Sequence, residues 1–182
     1  MAVCCSQSRS SSSPSFNDGV CYALSQLGKA SLKLKDQQVE AISAVYDGND
    51  VFVFLPTGFG KSICFQVLPF LFDHKLGQVG GQDRHAVIIV YPLILLMVDQ
   101  IRALKKSNVE VVVISSSSRE NSLVDKELRA TENSVCKASF IFSSPEALLC
   151  SKWRAVVLFK CIIKPEDHFD YGLITLQNVC MV

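Results

Sequence analysis

Short, nearly continuous apolar runs recur along the chain, and each is rich in β-branched or aromatic side chains. They are VFVFL at 51–55, AVIIVY at 86–91, VEVVVI at 109–114 and SFIFS at 139–143. Runs of this length with few polar interruptions are typical of strands that are covered on both faces, as in a parallel sheet. The pattern therefore predicts four buried strands.

Apolar residues at helical spacing lie between and before these runs. They predict helices over 17–27, capped by Asn17 or Asp18, and over 36–46, where Val39, Ile42 and Val45 share one face. Further helices are predicted over 61–72, 93–104 and 120–131, with a surface loop at 76–85. A strand followed by a helix, repeated along the chain, indicates an α/β fold with a parallel sheet flanked by helices.

Length and composition fit one domain with a real core. The chain has 182 residues, of which 49% are hydrophobic and 19% charged, and its net charge of +1 gives no overall attraction to nucleic acid or membrane. The longest apolar run, 86–98, is shorter than the about 20 residues that span a bilayer. We therefore expect no membrane association.

The N-terminus and the cysteines indicate a reducing compartment. Residues 1–16 are rich in serine and are expected to be disordered, and they lack the apolar stretch of a signal peptide. The eight cysteines form no C-x-x-C pair, so free thiols are expected and no zinc site. An intracellular location, in the nucleus or cytoplasm, is the expectation.

The stretch FLPTGFGKS, residues 54–62, joins the first predicted strand to the next helix, which is the context of a phosphate-binding loop. Gly58 and Gly60 can adopt positive φ, which lets backbone N–H groups approach phosphate oxygens. Lys61 can reach the β- and γ-phosphates, and Ser62 can offer its hydroxyl to Mg²⁺. Leu55 stands where many such loops have glycine. A glycine-rich turn with a surface lysine is the alternative interpretation.

Four segments together resemble the RecQ-like DNA helicases of superfamily 2. In that family PTGxGKS is a common sequence of this loop, and the earlier glycine is not required. The segments are LKLKDQQVEAI at 32–42, LPTGFGKSICFQVLPF at 55–70, VIIVYPLILLMVDQIRAL at 87–104 and FSSPEAL at 142–148. Their order and spacing agree with that family.

The resemblance implies a partial RecA-like domain of an ATP-dependent 3′ to 5′ DNA helicase, with ATP and Mg²⁺ as cofactors and single-stranded or duplex DNA as partner. It implies that Gln38 reads adenine, that Lys61 is the catalytic lysine and that Ser62 is a metal ligand. The implied nucleotide-binding residues are Lys35, Gln38, Pro56, Thr57, Gly58, Phe59, Gly60, Lys61 and Ser62, and the implied nucleic-acid contacts are Pro92, Gln100, Arg102 and Ser144.

Each of these segments also has a purely structural interpretation. Taken alone, Gln38 can be interpreted as a solvated helix residue. Pro92 can be interpreted as the end of a strand, and residues 144–146 as the start of a helix. Some positions depart from the family's usual sequence: Tyr91 and Leu95 stand where it usually has serine, and Lys35 where it usually has arginine. The changes at positions 91 and 95 remove the small hydroxyl side chain of serine from a turn that is expected to face DNA.

The family's second acidic motif, Asp-Glu-x-His after a buried strand, holds Mg²⁺ and positions the attacking water. The nearest candidate, PEDHF at 165–169, has these acids in the opposite order. We therefore expect a partial helicase ATP-binding domain over 17–157 and a divergent tail over 158–182, in which GLITL at 172–176 offers one substitute strand. The alternatives are a non-catalytic nucleotide- or DNA-binding fragment that acts as an interaction module, and a truncated gene model.

Overall fold

The computed structural model describes residues 15–79, 85–91, 94–114, 137–150 and 175–176, and it has an α/β architecture. The described helices are α1 (Phe16–Gln26), α2 (Asp36–Tyr46), α3 (Ser62–Gln66), α4 (Leu68–Lys75), α5 (Ile94–Lys105) and α6 (Pro145–Leu149). The strands are β1 (Val87–Val90), β2 (Val111–Ile114), β3 (Phe140–Ser143) and β4 (Thr175–Leu176). The predicted fold class, a partial RecA-like domain with a parallel sheet, is confirmed.

All pairings in the sheet are parallel, and the strand order is β2-β3-β1-β4. In the centre, Val87 is in register with Phe140, and on the other side of β1, Ile88 is in register with Thr175. The tail therefore contributes a strand inside the predicted segment 172–176, although it is only two residues long.

Helices and sheet enclose the main core. β1, β2 and β3 are almost entirely buried, and Met97, Ile101 and Leu104 of α5 lie on one buried stripe, as their spacing predicted. Helix α1 packs closely on α4, because Gly19 leaves room for Leu71, whose Cδ1 would lie 2.7 Å from an added Cβ. The cap of α1 is Ser15, not Asn17 or Asp18 as predicted: its hydroxyl accepts from the N–H of Asp18 at 3.4 Å.

The prediction of a buried strand over 51–55 is wrong. The segment is extended but belongs to no sheet, and Phe52 and Phe54 are 64% and 69% exposed. Within the described part of the chain, the backbone of residues 51–54 forms no hydrogen bond. An apolar run becomes a strand only where a neighbour offers a ladder, and the sheet edge next to β1 pairs with β4 instead.

The helix that follows the glycine-rich loop is divided, whereas the sequence pattern predicted one helix over 61–72. Helix α3 ends at Gln66, and α4 begins at Leu68 with Pro69 in its first turn. Proline has no N–H to donate to the carbonyl four residues earlier, so the continuous ladder is interrupted there. The helix predicted over 120–131 lies outside the described residues. Among the helices that are described, none is long and apolar enough to cross a membrane.

Candidate functional site

The loop at 56–62 is shaped by its two glycines. Gly58 has φ of +80° and Gly60 has φ of +89°, a region that other residues enter only with strain. Between them, the N–H of Phe59 donates to the carbonyl of Pro56 at 3.2 Å and closes a tight turn. Thr57 is exposed on this turn, and Ser62, half-buried, is the first residue of α3.

Five backbone N–H groups of this loop are available to an anion. Those of Thr57, Gly58, Gly60, Lys61 and Ser62 have no hydrogen-bond partner in the part of the chain that the structure describes. Successive N–H groups in such a turn create a local positive potential, which favours phosphate oxygens. The loop therefore has the donors of a phosphate site.

Lys61 lies at the end of this loop, and its side chain is almost fully buried. Its ammonium donates to the carbonyl oxygens of Leu55, at 2.5 Å, and Pro56, at 3.2 Å, so it links the end of the loop to its beginning. These are neutral acceptors, and a phosphate oxygen is a stronger, charged one. A bound phosphate can therefore replace one of these carbonyls as the acceptor of the Lys61 ammonium.

A small apolar cavity lies beside Lys61. Its lining side chains come from α2, the extended segment, α3 and α4: Ala41, Val45, Val51, Val53, Lys61, Cys64, Phe65 and Leu68. Burial raises the pKa of the Cys64 thiol to about 11, so this cysteine stays protonated at neutral pH. The cavity wall gives the lysine stem an apolar surface and offers no competing anion.

Gln38 joins helix α2 to the loop. Its Nε2 donates to the carbonyls of Phe59 at 3.1 Å and Gly60 at 3.2 Å, and its Oε1 accepts from the N–H of Lys35 at 2.9 Å. The side chain is only 5% exposed, so the interpretation as a solvated helix residue is wrong. A Cβ at Gly60 would lie 3.1 Å from this Nε2, which is a second reason for glycine there.

Lys35 precedes α2 and reaches the same loop. Its ammonium lies 3.8 Å from the centroid of the Phe59 ring and donates to the Phe59 carbonyl at 3.3 Å. The structure therefore brings Lys35 and Gln38 onto the loop, as the sequence-based site requires. The sequence did not predict the contact between Lys35 and Phe59. The sequence feature that could have indicated it is an aromatic residue between two glycines.

The predicted nucleic-acid residues are more dispersed. Pro92 lies outside the described residues, Gln100 is half-buried in α5, and Arg102 is exposed and lies 3.5 Å from the carboxylate of Asp99. Ser144 is buried, and its hydroxyl accepts from the N–H of Ala147 at 3.3 Å, which caps α6. The structural interpretation of residues 144–146 as a helix start is thus confirmed, while a contact of these residues with DNA stays a prediction.

The two departures from the family's serines have different outcomes. Tyr91 is half-buried and stacks on Phe142 with ring centroids 6.1 Å apart, and burial raises the pKa of its phenol to about 12. It therefore packs at the end of β1. Leu95, by contrast, is 62% exposed and leaves an apolar side chain on the first turn of α5.

Comparisons with known proteins agree with this geometry. A family model described as DEAD/DEAH box helicase matches residues 35–166, which include the whole loop and Gln38. The chain is 37% identical to the ATP-dependent helicase SGS1 of Saccharomyces cerevisiae over 101 residues, which are 56% of this chain and 6% of that protein.

Two further relatives carry DNA helicase in their names. The chain is 38% identical over 81 residues to the ATP-dependent DNA helicase hus2/rqh1 of Schizosaccharomyces pombe, covering 44% of this chain and 6% of the relative. It is 31% identical over 121 residues to the ATP-dependent DNA helicase Q1 of Rattus norvegicus, covering 66% of this chain and 17% of the relative. The chain thus spans a small part of these proteins. It belongs to the DEAD/DEAH box helicase family, and within that family it is RecQ-like.

Proposed function

We propose that residues 56–62 bind the phosphates of ATP together with Mg²⁺. In this proposal Lys61 contacts the β- and γ-phosphates and is the catalytic lysine, and Ser62 is a ligand of Mg²⁺. Bound Mg²⁺ neutralises charge on the phosphate oxygens. The observation that carries the proposal is the loop itself, with five N–H groups that have no partner among the described residues, two glycines with positive φ and a lysine ammonium at its base.

Gln38 is proposed to have two functions: it holds the loop that binds the phosphates, and it contacts the adenine base. Its two N–H donors hold the loop carbonyls, and the Oε1 that accepts from Lys35 keeps a second lone pair, which can accept from the amino group of adenine. Guanine presents a carbonyl at the equivalent position, which cannot donate. A preference for ATP over GTP follows from this arrangement.

We further propose that the chain is the ATP-binding part of an ATP-dependent DNA helicase that moves 3′ to 5′, with single-stranded or duplex DNA as its partner. Support comes from the names of the relatives and from the position of α5 and α6, which both follow strands that end at the same sheet edge. An intracellular location, in the nucleus or cytoplasm, follows from DNA as the partner.

A binding assay tests the nucleotide site. We expect Lys61→Met to weaken binding of a fluorescent ATP analogue by about 10- to 150-fold, because one charge-assisted phosphate contact contributes about 1.5–3 kcal/mol. Methionine keeps an apolar stem in the cavity, and Lys33→Met, at an exposed lysine, is the matched control. Equal affinity of wild type and Lys61→Met, with both proteins folded by thermal unfolding, would contradict the site.

A second candidate is a nucleotide-binding module that does not turn over ATP. It is favoured by the sequence, in which no Asp-Glu-x-His segment occurs among the 182 residues. We expect these residues alone to bind ATP without hydrolysing it. Steady release of phosphate that depends on Lys61 and is stimulated by single-stranded DNA would refute this second candidate.

A further inference from the structure

We propose that Lys35 and Phe59 form a positioning pair, in which a cation–π contact holds the middle of the phosphate loop against the start of α2. This proposal rests on the proposed ATP site for its effect on binding, but the contact itself is independent of nucleotide. It gives Lys35 a role that differs from a direct contact with the base.

The geometry of the pair is well suited to this role. The ammonium of Lys35 lies 3.8 Å from the centroid of the Phe59 ring, inside the range of about 6 Å for attraction by an aromatic face. The same ammonium donates to the Phe59 carbonyl at 3.3 Å, so it contacts this residue at both its ring and its backbone. The Lys35 ammonium thus makes two contacts with the same loop residue.

The loop needs such support because of its sequence. Phe59 stands between two glycines with φ of +80° and +89°, and glycine has the largest conformational freedom to lose on ordering. The loop residues around Phe59 are exposed, whereas Phe59 is half-buried. A contact that fixes Phe59 therefore fixes the turn that carries the N–H groups without a partner in the described part of the chain, and this lowers the ordering cost of anion binding.

A double-mutant cycle separates this role from a direct effect of the lysine charge. Lys35→Met removes the charge but keeps most of the stem, and Phe59→Leu removes the aromatic face but keeps an apolar side chain. If the pair acts as proposed, Lys35→Met weakens binding of the ATP analogue by about 2- to 5-fold in the wild-type background, the effect of an exposed cation–π contact. In the Phe59→Leu background the effect is smaller, because the ring contact is absent and only the hydrogen bond to the carbonyl of residue 59 remains. Lys35→Arg restores binding, since a guanidinium also stacks on aromatic faces.

A measurement without nucleotide tests the contact itself. The N–H of Phe59 donates to Pro56, and its exchange with solvent, followed by NMR, reports opening of the turn. We expect Lys35→Met to speed this exchange by about 2- to 5-fold when Phe59 is present, and by less in the Phe59→Leu background. Lys33→Met, at a neighbouring exposed lysine, is the charge-matched control and should change neither quantity.

The outcomes distinguish the two proposals. Equal effects of Lys35→Met in both backgrounds, in binding and in exchange, would overturn the pair and leave Lys35 as a charge that acts on the nucleotide directly. Coupling in amide exchange without any ATP binding by the wild type would support the pair and refute the proposed nucleotide site. ATP binding that depends on Lys61 but shows no coupling would do the reverse.

Discussion

Replacing Gln38 by alanine tests how the loop is built. The substitution removes three hydrogen bonds: two to the carbonyls of Phe59 and Gly60, and one from the N–H of Lys35. The side chain is 5% exposed, so its bonds are formed in a largely dry environment. The loop and the start of α2 lose their direct link through this amide.

The expected loss of stability follows from these three bonds. At about 1 kcal/mol each, they amount to about 3 kcal/mol. Gly60 is exposed, so water can bond to its carbonyl in the variant, and the Phe59 carbonyl keeps its bond from Lys35. These bonds offset part of the lost stability. We therefore expect Gln38→Ala to lower the free energy of unfolding by about 1–2 kcal/mol, or Tm by about 2–8 °C for a chain of this size.

Thermal unfolding and nucleotide binding together measure the effect. The control is Gln37→Ala, which makes the same change one residue earlier in α2 at an exposed position, where about 0.5 kcal/mol or less is expected. Binding of GTP should weaken because the loop is less ordered, and binding of ATP should weaken more because a base contact is lost as well. If Gln38→Ala is as stable as Gln37→Ala and binds GTP as wild type does, the coupling of α2 to the loop is wrong.

Two further predictions concern buried groups outside the loop. Asp73 is 4% exposed, and its carboxylate accepts from both the backbone N–H and the Nδ1 of His85, each at 2.7 Å. We expect Asp73→Ala to lower the free energy of unfolding, measured in urea, by about 2–4 kcal/mol. The control Asp50→Ala, at an exposed aspartate, should be about as stable as wild type. A similar loss in both variants would show that the His85 bonds contribute nothing. The raised pKa of Cys64, about 11, leaves about one thiol in a thousand ionised at pH 8, so iodoacetamide should modify it far more slowly than exposed Cys21 in the folded protein. Equal rates in peptide mass spectra would contradict this burial.

Local patterns predicted the helices well because their determinants lie close together in sequence. The bounds of α2 are those predicted, since apolar spacing and the turn at 47–50 are both local signals. The positive φ of Gly58 and Gly60 was likewise expected from the loop wording. The break between α3 and α4 has a local signal too, Pro69, but the apolar period continues through it.

Contacts between distant segments could not be predicted in this way. The bonds from Gln38 to the loop join residues 21 and 22 positions apart, and nothing in either segment specifies the other. A strand has the same difficulty: its side chains can be apolar, but its stability depends on a neighbour from elsewhere in the chain. This is why 51–55, with the composition of a buried strand, could be assigned wrongly.

The extended segment 51–55 leads to the last prediction, which concerns amide exchange. Val51 and Val53 line the apolar cavity beside Lys61, so the segment is held by one face, while its backbone forms no ladder in the described part of the chain. Buried hydrogen-bonded amides exchange only when the structure opens, whereas unpaired amides exchange close to the rate of an unfolded chain. We therefore expect the amides of 51–54 to exchange at least about 100-fold faster than those of β1 and β3, a difference of about 2.7 kcal/mol in opening free energy. Both strands are apolar and close in composition to 51–55, so they are internal controls for side-chain effects on intrinsic rates. Slow exchange throughout 51–54 in a monomer with one cooperative unfolding transition would mean that a further strand pairs with this segment in solution, and that the strand predicted over 51–55 exists.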